Sequence, residues 1–324
     1  IIDEYTFLKR PVLILDDQIF IRNSKKVVAA AKAALGEMQS LFKSHLALFV
    51  VQLMYGANYV VAKGLMPNVV GPNGFILIRV LGAVALFWAI MTFFKDKVDK
   101  GDFLRLAICG FFGVALNQLM FFNGLMLTSP LNAPVIMTMT PILVLALSAV
   151  ILKEKVRVLQ VVGVILGGAG SVFFILMNEK GGYASSTGDL LILINATSYS
   201  FYLVLVKPLM KKYKPLTVIS WVFTFGLAYV LLWFPSSIEL SQVSWADVSA
   251  IEVAQIAFVV VGVTFTPYLL NVYAMKNLSP SIAAVYIYLQ PILATIFVLL
   301  MAAYGLTDYS ENFNPLKILC ALVV

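Results

Sequence analysis

The fifteen residues Ser129–Leu143, SPLNAPVIMTMTPIL, return 150 positions later as Ser279–Leu293, SPSIAAVYIYLQPIL. The two copies align without a gap and agree at seven of fifteen positions. Each opens with Ser-Pro at the head of an apolar run and places a second proline, Pro141 or Pro291, near its middle. A proline inside a helix removes a backbone donor and clashes with the preceding turn. Membrane helices tolerate that where the freed carbonyls face neighbouring helices or line a cavity. Interrupted hydrophobic segments at matching places in two halves point to the binding site of a secondary transporter. Pro141 and Pro291 are therefore the expected helix breaks and hinges.

The rest of the chain supports a membrane reading. It is 61% hydrophobic and only 12% charged, with a mean hydropathy of +0.95, whereas soluble domains carry about 25% charge. Apolar windows long enough to cross a bilayer fall at about 45–63, 74–94, 103–126, 131–152, 158–178, 188–206, 217–234, 254–274, 281–304 and 316 onward. The expectation is an all-α membrane protein of ten transmembrane helices, the last cut short, with Ile1 also read as a cut end. Because the repeated segment is the fourth span of one set and the ninth of the other, each repeat holds five spans. An odd number of crossings inverts the second repeat relative to the first. The expected domains are a fragment at 1–40, a first five-helix repeat at 41–180 and a second at 181–324. A weaker echo agrees: NYVVAKGLM (Asn58–Met66) against YLVLVKPLM (Tyr202–Met210).

Charge placement sets an orientation. With a cytoplasmic amino terminus, sixteen Lys and Arg from Lys25 onward lie in cytoplasmic segments and three, Lys63, Lys180 and Lys317, outside, a positive-inside distribution. Both termini are then expected in the cytoplasm. The net charge of +7 is a topology signal and gives no reason to invoke a nucleic acid partner. Cys109 and Cys320 sit in apolar stretches with no metal or disulfide spacing. His45, the one histidine, can serve interfacial packing or sense pH.

Residues 1–40 differ in character. Val12–Leu15 and Gln18–Ile21 flank Asp16-Asp17 and suggest a β-hairpin, followed by a short helix capped by Ser24. This appendage is expected to be cytoplasmic.

All sixteen carboxylates lie in the amino-terminal segment, in loops or at span ends. Proton-driven carriers hold ionisable relays at depth, and an enzyme's acid/base pair needs two such groups. Their absence at depth argues against a pump and against a membrane enzyme built on an acid/base pair or carboxylate metal ligands, and it favours facilitated diffusion, exchange or gradient-driven export. No cofactor is expected. Arg79 is the one charge well inside a span; it can clamp a substrate carboxylate bidentately or snorkel to the interface.

Uncharged polar residues form helical stripes. They are Gln52, Tyr55, Asn58 and Tyr59; Asn117 and Gln118; Asn195, Tyr199 and Tyr202; Thr264, Tyr268 and Asn271; and Tyr286 and Gln290. Such groups are costly against lipid and must face protein or water. Each can serve as interhelical glue worth on the order of 0.6 kcal/mol. Together they suggest a cavity. The expected substrate-binding set is Asn58, Tyr59, Gln118, Tyr199, Tyr202, Tyr268, Asn271, Tyr286 and Gln290, with Arg79 as an anion contact. Aromatic faces beside amides and hydroxyls suit a neutral or zwitterionic small molecule. Gly163–Gly167, a GxxxG followed by Gly168 and Gly170, provides close helix packing, within a monomer or in a weak homodimer.

Ten spans in five-span repeats, the Ser-Pro…Pro-Ile-Leu helix and the run Glu154…Gln160…Gly163…Gly167…Gly170 resemble the EamA-type branch of the drug/metabolite transporter superfamily, over about residues 45–324. The resemblance implies a bacterial inner-membrane carrier of small organic metabolites, commonly an exporter of amino acids or related compounds. The second repeat lacks a match to Glu154. Residues 1–38, FLKRPVLILDDQIFIRNSKKVVAAAKAAL among them, resemble the carboxy-terminal end of arsenate-reductase-like proteins of thioredoxin fold, without the catalytic cysteine. Two rivals stand beside the carrier: a passive channel-like pore, and a membrane-anchored redox sensor.

Overall fold

A computed structural model of the chain describes residues 17–93, 96–163, 165–166, 169 and 185–305. The chain divides into two units, Ile1–Lys43 and Ser44–Val324. In the first, the described residues are helical from Asp17, where α1 (Asp17–Leu65) begins. This corrects the expected hairpin: Gln18–Ile21 is helical and Ser24, expected as a cap, lies inside the helix. The other expected strand, Val12–Leu15, lies outside the described residues. Between Asp17 and Gly36 no glycine or proline interrupts the chain, and its run of alanines has the highest helix propensity of any residue type.

The second unit is all-helical among the described residues. Eight helical segments there are long and apolar enough to cross a membrane. They are the Leu35–Leu65 part of α1, α2 (Pro72–Met91), α3 (Lys100–Leu127), α4 (Asn132–Ile151), α5 (Ser186–Met210), α6 (Pro215–Leu232), α8 (Ala250–Asn277) and α9 (Pro280–Ala303). A short α7 (Phe234–Ser241) links α6 to α8. These eight coincide with expected spans one to four and six to nine. Most of span five and all of span ten, with Gly167, Gly168 and Gly170, lie outside the described residues. Large apolar side chains such as Leu53, Leu81, Ile108, Leu231, Val261 and Ile296 are exposed, whereas Gln52, Asn58, Gln118, Asn195, Asn271 and Gln290 are buried. That inverts the soluble pattern, as a lipid solvent requires.

The repeated prolines act where the sequence places them. Ser129 Oγ accepts from Asn132 N at 3.0 Å, and Ser279 Oγ accepts from Ile282 N at 3.3 Å, so each Ser-Pro starts its helix with a side-chain cap. Pro141 has no N–H to offer Met137, and α4 breaks between Met137 and Thr140. There Thr138 N and Met139 N turn to the carbonyls three residues back. In α9 the turn before Pro291, Tyr286–Leu289, tightens to a 3₁₀ helix.

The preceding helices share a second irregularity. α3 widens to a π-helical turn at Phe111–Ala115, and α8 does so at Val259–Phe265, just before Pro267. Carbonyls loosened by the wide turns are answered by side chains. Tyr268 OH donates to Gly113 O at 2.9 Å, Ser198 Oγ to Phe112 O at 2.6 Å, and Thr264 Oγ1 to Val259 O at 2.9 Å. Gly113 allows the approach; a Cβ there would lie 2.4 Å from the Tyr202 ring.

Matching lysines close the same two helices. Lys63 Nζ, near the end of α1, donates to Leu125 O and Met126 O at 2.7 Å and to Thr128 O at 2.9 Å. Lys207 Nζ, near the end of α5, donates to Met275 O and, at 2.6 Å, to Leu278 O. Each ammonium thus meets carbonyls orphaned at a helix C-terminus, where the helix dipole also favours positive charge. At the bundle surface, Asp96 accepts from Lys214 Nζ at 3.0 Å and from Thr217 Oγ1 at 2.9 Å, which holds its carboxyl below the usual carboxylate range. Lys212 and Tyr213 both donate to Asp102, at 2.9 and 2.6 Å, and both titrate above their ordinary values because of it.

Replacing Lys63 or Lys207 by methionine should destabilise the fold by about 1.5–3 kcal/mol for each hydrogen-bonded charge removed, read as a lower thermal unfolding temperature in detergent. Arginine at either site should retain most of that stability. Since the Asp96 carboxyl is depressed in the fold, its contribution is present at neutral pH and fades as pH falls through about 4. An acid titration of unfolding should therefore be flatter for Asp96→Asn than for the wild type.

Candidate functional site

Helical spacing brings several short sets of side chains to one place. Tyr55, Asn58 and Tyr59 on α1, and Gln118, Phe121 and Phe122 on α3, follow the i, i+3, i+4 rule for a single helix face. With Arg79 of α2, Asn117 of α3, Met137 of α4, Asn195 and Tyr199 of α5, Tyr268 of α8 and Gln290 of α9, they line a cavity of about 60 Å³. The lining mixes amides, phenols, two phenylalanines and one guanidinium, and it contains no Asp, Glu or His. Among the described residues no cluster of three His, Cys, Asp or Glu is placed to hold a metal ion.

Six of the nine expected binding residues line this cavity, as does Arg79: Asn58, Tyr59, Gln118, Tyr199, Tyr268 and Gln290. Gln290 is held between two α1 groups. Tyr59 OH donates to its Oε1 at 2.6 Å, and its Nε2 donates to Gln52 Oε1 at 2.7 Å. Tyr268 OH bonds Gly113 O and, at 3.2 Å, Asn117 Oδ1, while Asn195 Nδ2 donates to Asn117 O at 2.8 Å.

Three expected residues sit elsewhere. Asn271 stands behind the wall and donates to Tyr199 OH. Tyr202 is fully buried, with its ring over Gly113. Tyr286 turns away and pairs its hydroxyl with His45 Nδ1 at 2.8 Å. The 3₁₀ turn explains the last: four residues advance about 40° around an α-helix but about 120° at three residues per turn, so Tyr286 and Gln290 part faces. Phe121, Phe122 and Met137 were not among the expected site residues, although the spacing of both phenylalanines from Gln118 carried the signal.

Arg79 does not snorkel. It is 3% exposed, and its Nε donates to Thr264 Oγ1 at 2.9 Å. The guanidinium carbon lies 4.3 Å from the Phe122 ring centre and 5.7 Å from that of Phe75. A cation over an aromatic face gains about 2 kcal/mol when desolvated, which anchors the group inside the bundle. Its Nη1 has no hydrogen-bond partner among the described residues.

Comparisons with known proteins agree with this architecture. The family model described as the EamA-like transporter family matches twice, over residues 42–176 and 186–321. Two Archaeoglobus fulgidus proteins, each named an uncharacterized transporter, are similar. One is 26% identical over 220 residues, covering 68% of this chain and 76% of the relative. The other is 24% identical over 280 residues, covering 85% and 93%. The Bacillus subtilis uncharacterized transporter YyaM is 26% identical over 228 residues, 66% of this chain and 72% of that protein. A solved crystal structure shares the fold with a TM-score of 0.62 at 20% identity, over 86% of this chain and 95% of that one.

Tyr268→Phe removes the donor that holds Gly113 O. It should cost on the order of 1 kcal/mol in unfolding from detergent, within the range for interhelical hydrogen bonds in membranes, and leave the helical content unchanged by circular dichroism.

Proposed function

This multi-pass membrane protein belongs to the EamA-like transporter family, and we propose that it is a secondary carrier of small organic metabolites working by alternating access around the polar, aromatic cavity. The observation that carries this reading is the convergence of polar side chains from six helices on one small cavity within an otherwise apolar bundle. Polar groups buried this way are costly unless they serve packing or a ligand, and several here are left unpaired. On this reading the ten helices form two inverted five-helix repeats, with both termini cytoplasmic in a bacterial inner membrane. The resemblance extends the proposal to export of amino acids or related compounds. The lining holds no carboxylate or histidine, which favours exchange or gradient-driven export over a proton relay through the cavity.

Pro141 and Pro291 are the proposed bending points. Met137, just before one break, and Gln290, beside the other proline, both line the cavity, so bending at either site alters its shape directly.

The test is uptake and counterflow of a panel of labelled metabolites by the full chain in proteoliposomes. Saturable counterflow of at least one compound, lowered about tenfold or more in Gln118→Ala, is the expected result. Flux that neither saturates nor exchanges would replace the carrier with a pore. The double variant Pro141→Ala, Pro291→Ala should fold and insert but transport more slowly; transport at the wild-type rate would sink the hinge role.

A further inference from the structure

The buried polar groups without partners are not spread evenly. Of nine such side-chain atoms among the described residues, five belong to cavity-lining residues: Asn58 Oδ1, Arg79 Nη1, Gln118 Nε2 and Oε1, and Asn195 Oδ1. The other four are single hydroxyls, of Thr140, Ser148, Tyr202 and Ser236, so the amide and guanidinium groups left unpaired all belong to the cavity. Unmet demand is concentrated where a ligand would sit, and its chemistry is uneven. The donors include a full positive charge, and among the described residues no carboxylate lines the cavity to balance it.

Arg79 cannot relieve this by moving outward while it keeps its present contacts. Thr264 Oγ1 fixes Nε from one side, and the Phe122 ring covers a face of the guanidinium. Thr264 is itself committed as a donor to Val259 O, so its lone pair is turned to receive Arg79. What remains is the outer edge of the fork, in the geometry that matches a planar carboxylate. A buried cation without a counter-charge destabilises the protein that carries it, and a ligand that supplies the opposite charge gains what the empty site lacks.

From this geometry we infer that Arg79 is the specificity-determining residue of the cavity and selects cargo bearing a carboxylate, whose negative charge completes a buried ion pair. The inference deepens the carrier reading and rests on the same cavity. Gln118 Nε2, which lies against the Tyr268 hydroxyl, is the second donor for the carboxylate. The unpaired oxygens of Asn58, Asn195 and Gln118 receive N–H or O–H groups at the other end of the cargo. A neutral isostere, an amide in place of the acid, leaves the guanidinium uncompensated and is rejected. The small cavity sets the scale, with a few heavy atoms beside the carboxylate accommodated before the helices must part.

Binding can be read without transport. Thermal unfolding of the purified full-length protein is followed with acetate and with acetamide at equal ionic strength, in the wild type, Arg79→Gln and Arg79→Lys. Acetate is expected to stabilise the wild type and to bind about tenfold or more tightly than acetamide, the factor that one hydrogen bond to a charged group brings. Arg79→Gln should lose that preference, read as the shift each probe gives over the variant's own baseline, which falls with the lost Phe122 and Thr264 contacts. Arg79→Lys should keep a weakened preference. Acetate stabilising the wild type and Arg79→Gln alike, or acetamide matching acetate in the wild type, would overturn the inference. The proteoliposome panel separates the two readings: acid-over-amide discrimination with no counterflow of any compound would sink the carrier and leave the anion site standing.

Discussion

A backbone carbonyl released from its helix inside a membrane has no water to turn to and must be met by a neighbouring group. In this bundle that demand is concentrated on one stretch of α3. The wide turn at Phe111–Ala115 loosens Phe112 O and Gly113 O, which Ser198 of α5 and Tyr268 of α8 then bind. Asn195 reaches Asn117 O one turn further on. Two helices after the repeat boundary are thus keyed to a few residues before it. That keying brings Asn195, Tyr199 and Tyr268 to face Gln118 across the cavity. The absence of a Cβ at Gly113 is part of the same device, because the Tyr202 ring occupies the space it would need.

The duplication preserved the framework and let the lining diverge. Both copies keep the Ser-Pro cap, the break before the second proline, the wide turn in the preceding helix and a lysine on that helix's terminal carbonyls. At the cavity, however, the residue 150 positions from Gln118 is Tyr268, and the residue 150 positions from Gln290 is Thr140. Gln290 is held by Tyr59 and Gln52, whereas Thr140 Oγ1 is buried without a partner. Arg79 has no charged counterpart in the lining. A symmetric scaffold therefore encloses an asymmetric, singly charged site, which is the form needed to hold an organic molecule with distinct ends.

Much of this was legible in the sequence because proline and helical spacing act locally. Pro141 and Pro291 lack their N–H in any context, so their breaks follow from position alone, and stripes at i, i+3, i+4 kept Asn58, Tyr59 and Gln118 on cavity-facing sides. The errors came where local conformation departed from the ideal α-helix. Tyr286 lost its place beside Gln290 because the turn between them tightened. Gln18–Ile21, apolar and β-branched enough to resemble a strand, lies in a helix that nothing interrupts. Phe121 and Phe122 were passed over because an apolar residue on a membrane helix carries no mark separating a cavity wall from lipid contact or core. Arg79 was ambiguous for a similar reason. Its distance from the span's end permits snorkelling, and only the positions of Phe122 and Thr264 decide against it.

Cavity size bears on how such a site could operate. Pockets for organic ligands enclose several hundred Å³, whereas this one has about 60 Å³. A passage permanently wide enough for organic solutes is difficult to reconcile with that volume, so cargo must enlarge the space as it enters. The segments least able to resist are those with weakened backbone ladders, the breaks of α4 and α9, and both reach the cavity through Met137 and Gln290. The wide turns of α3 and α8 are a different case, because side chains have re-bonded their loosened carbonyls, which opposes further bending there. The bundle thus opposes two stiff helices, which carry Gln118 and Tyr268, to two interrupted ones. On the carrier reading, movement falls to the interrupted pair while the stiff pair, with Arg79 tied to α8 through Thr264, keeps the recognition groups in register.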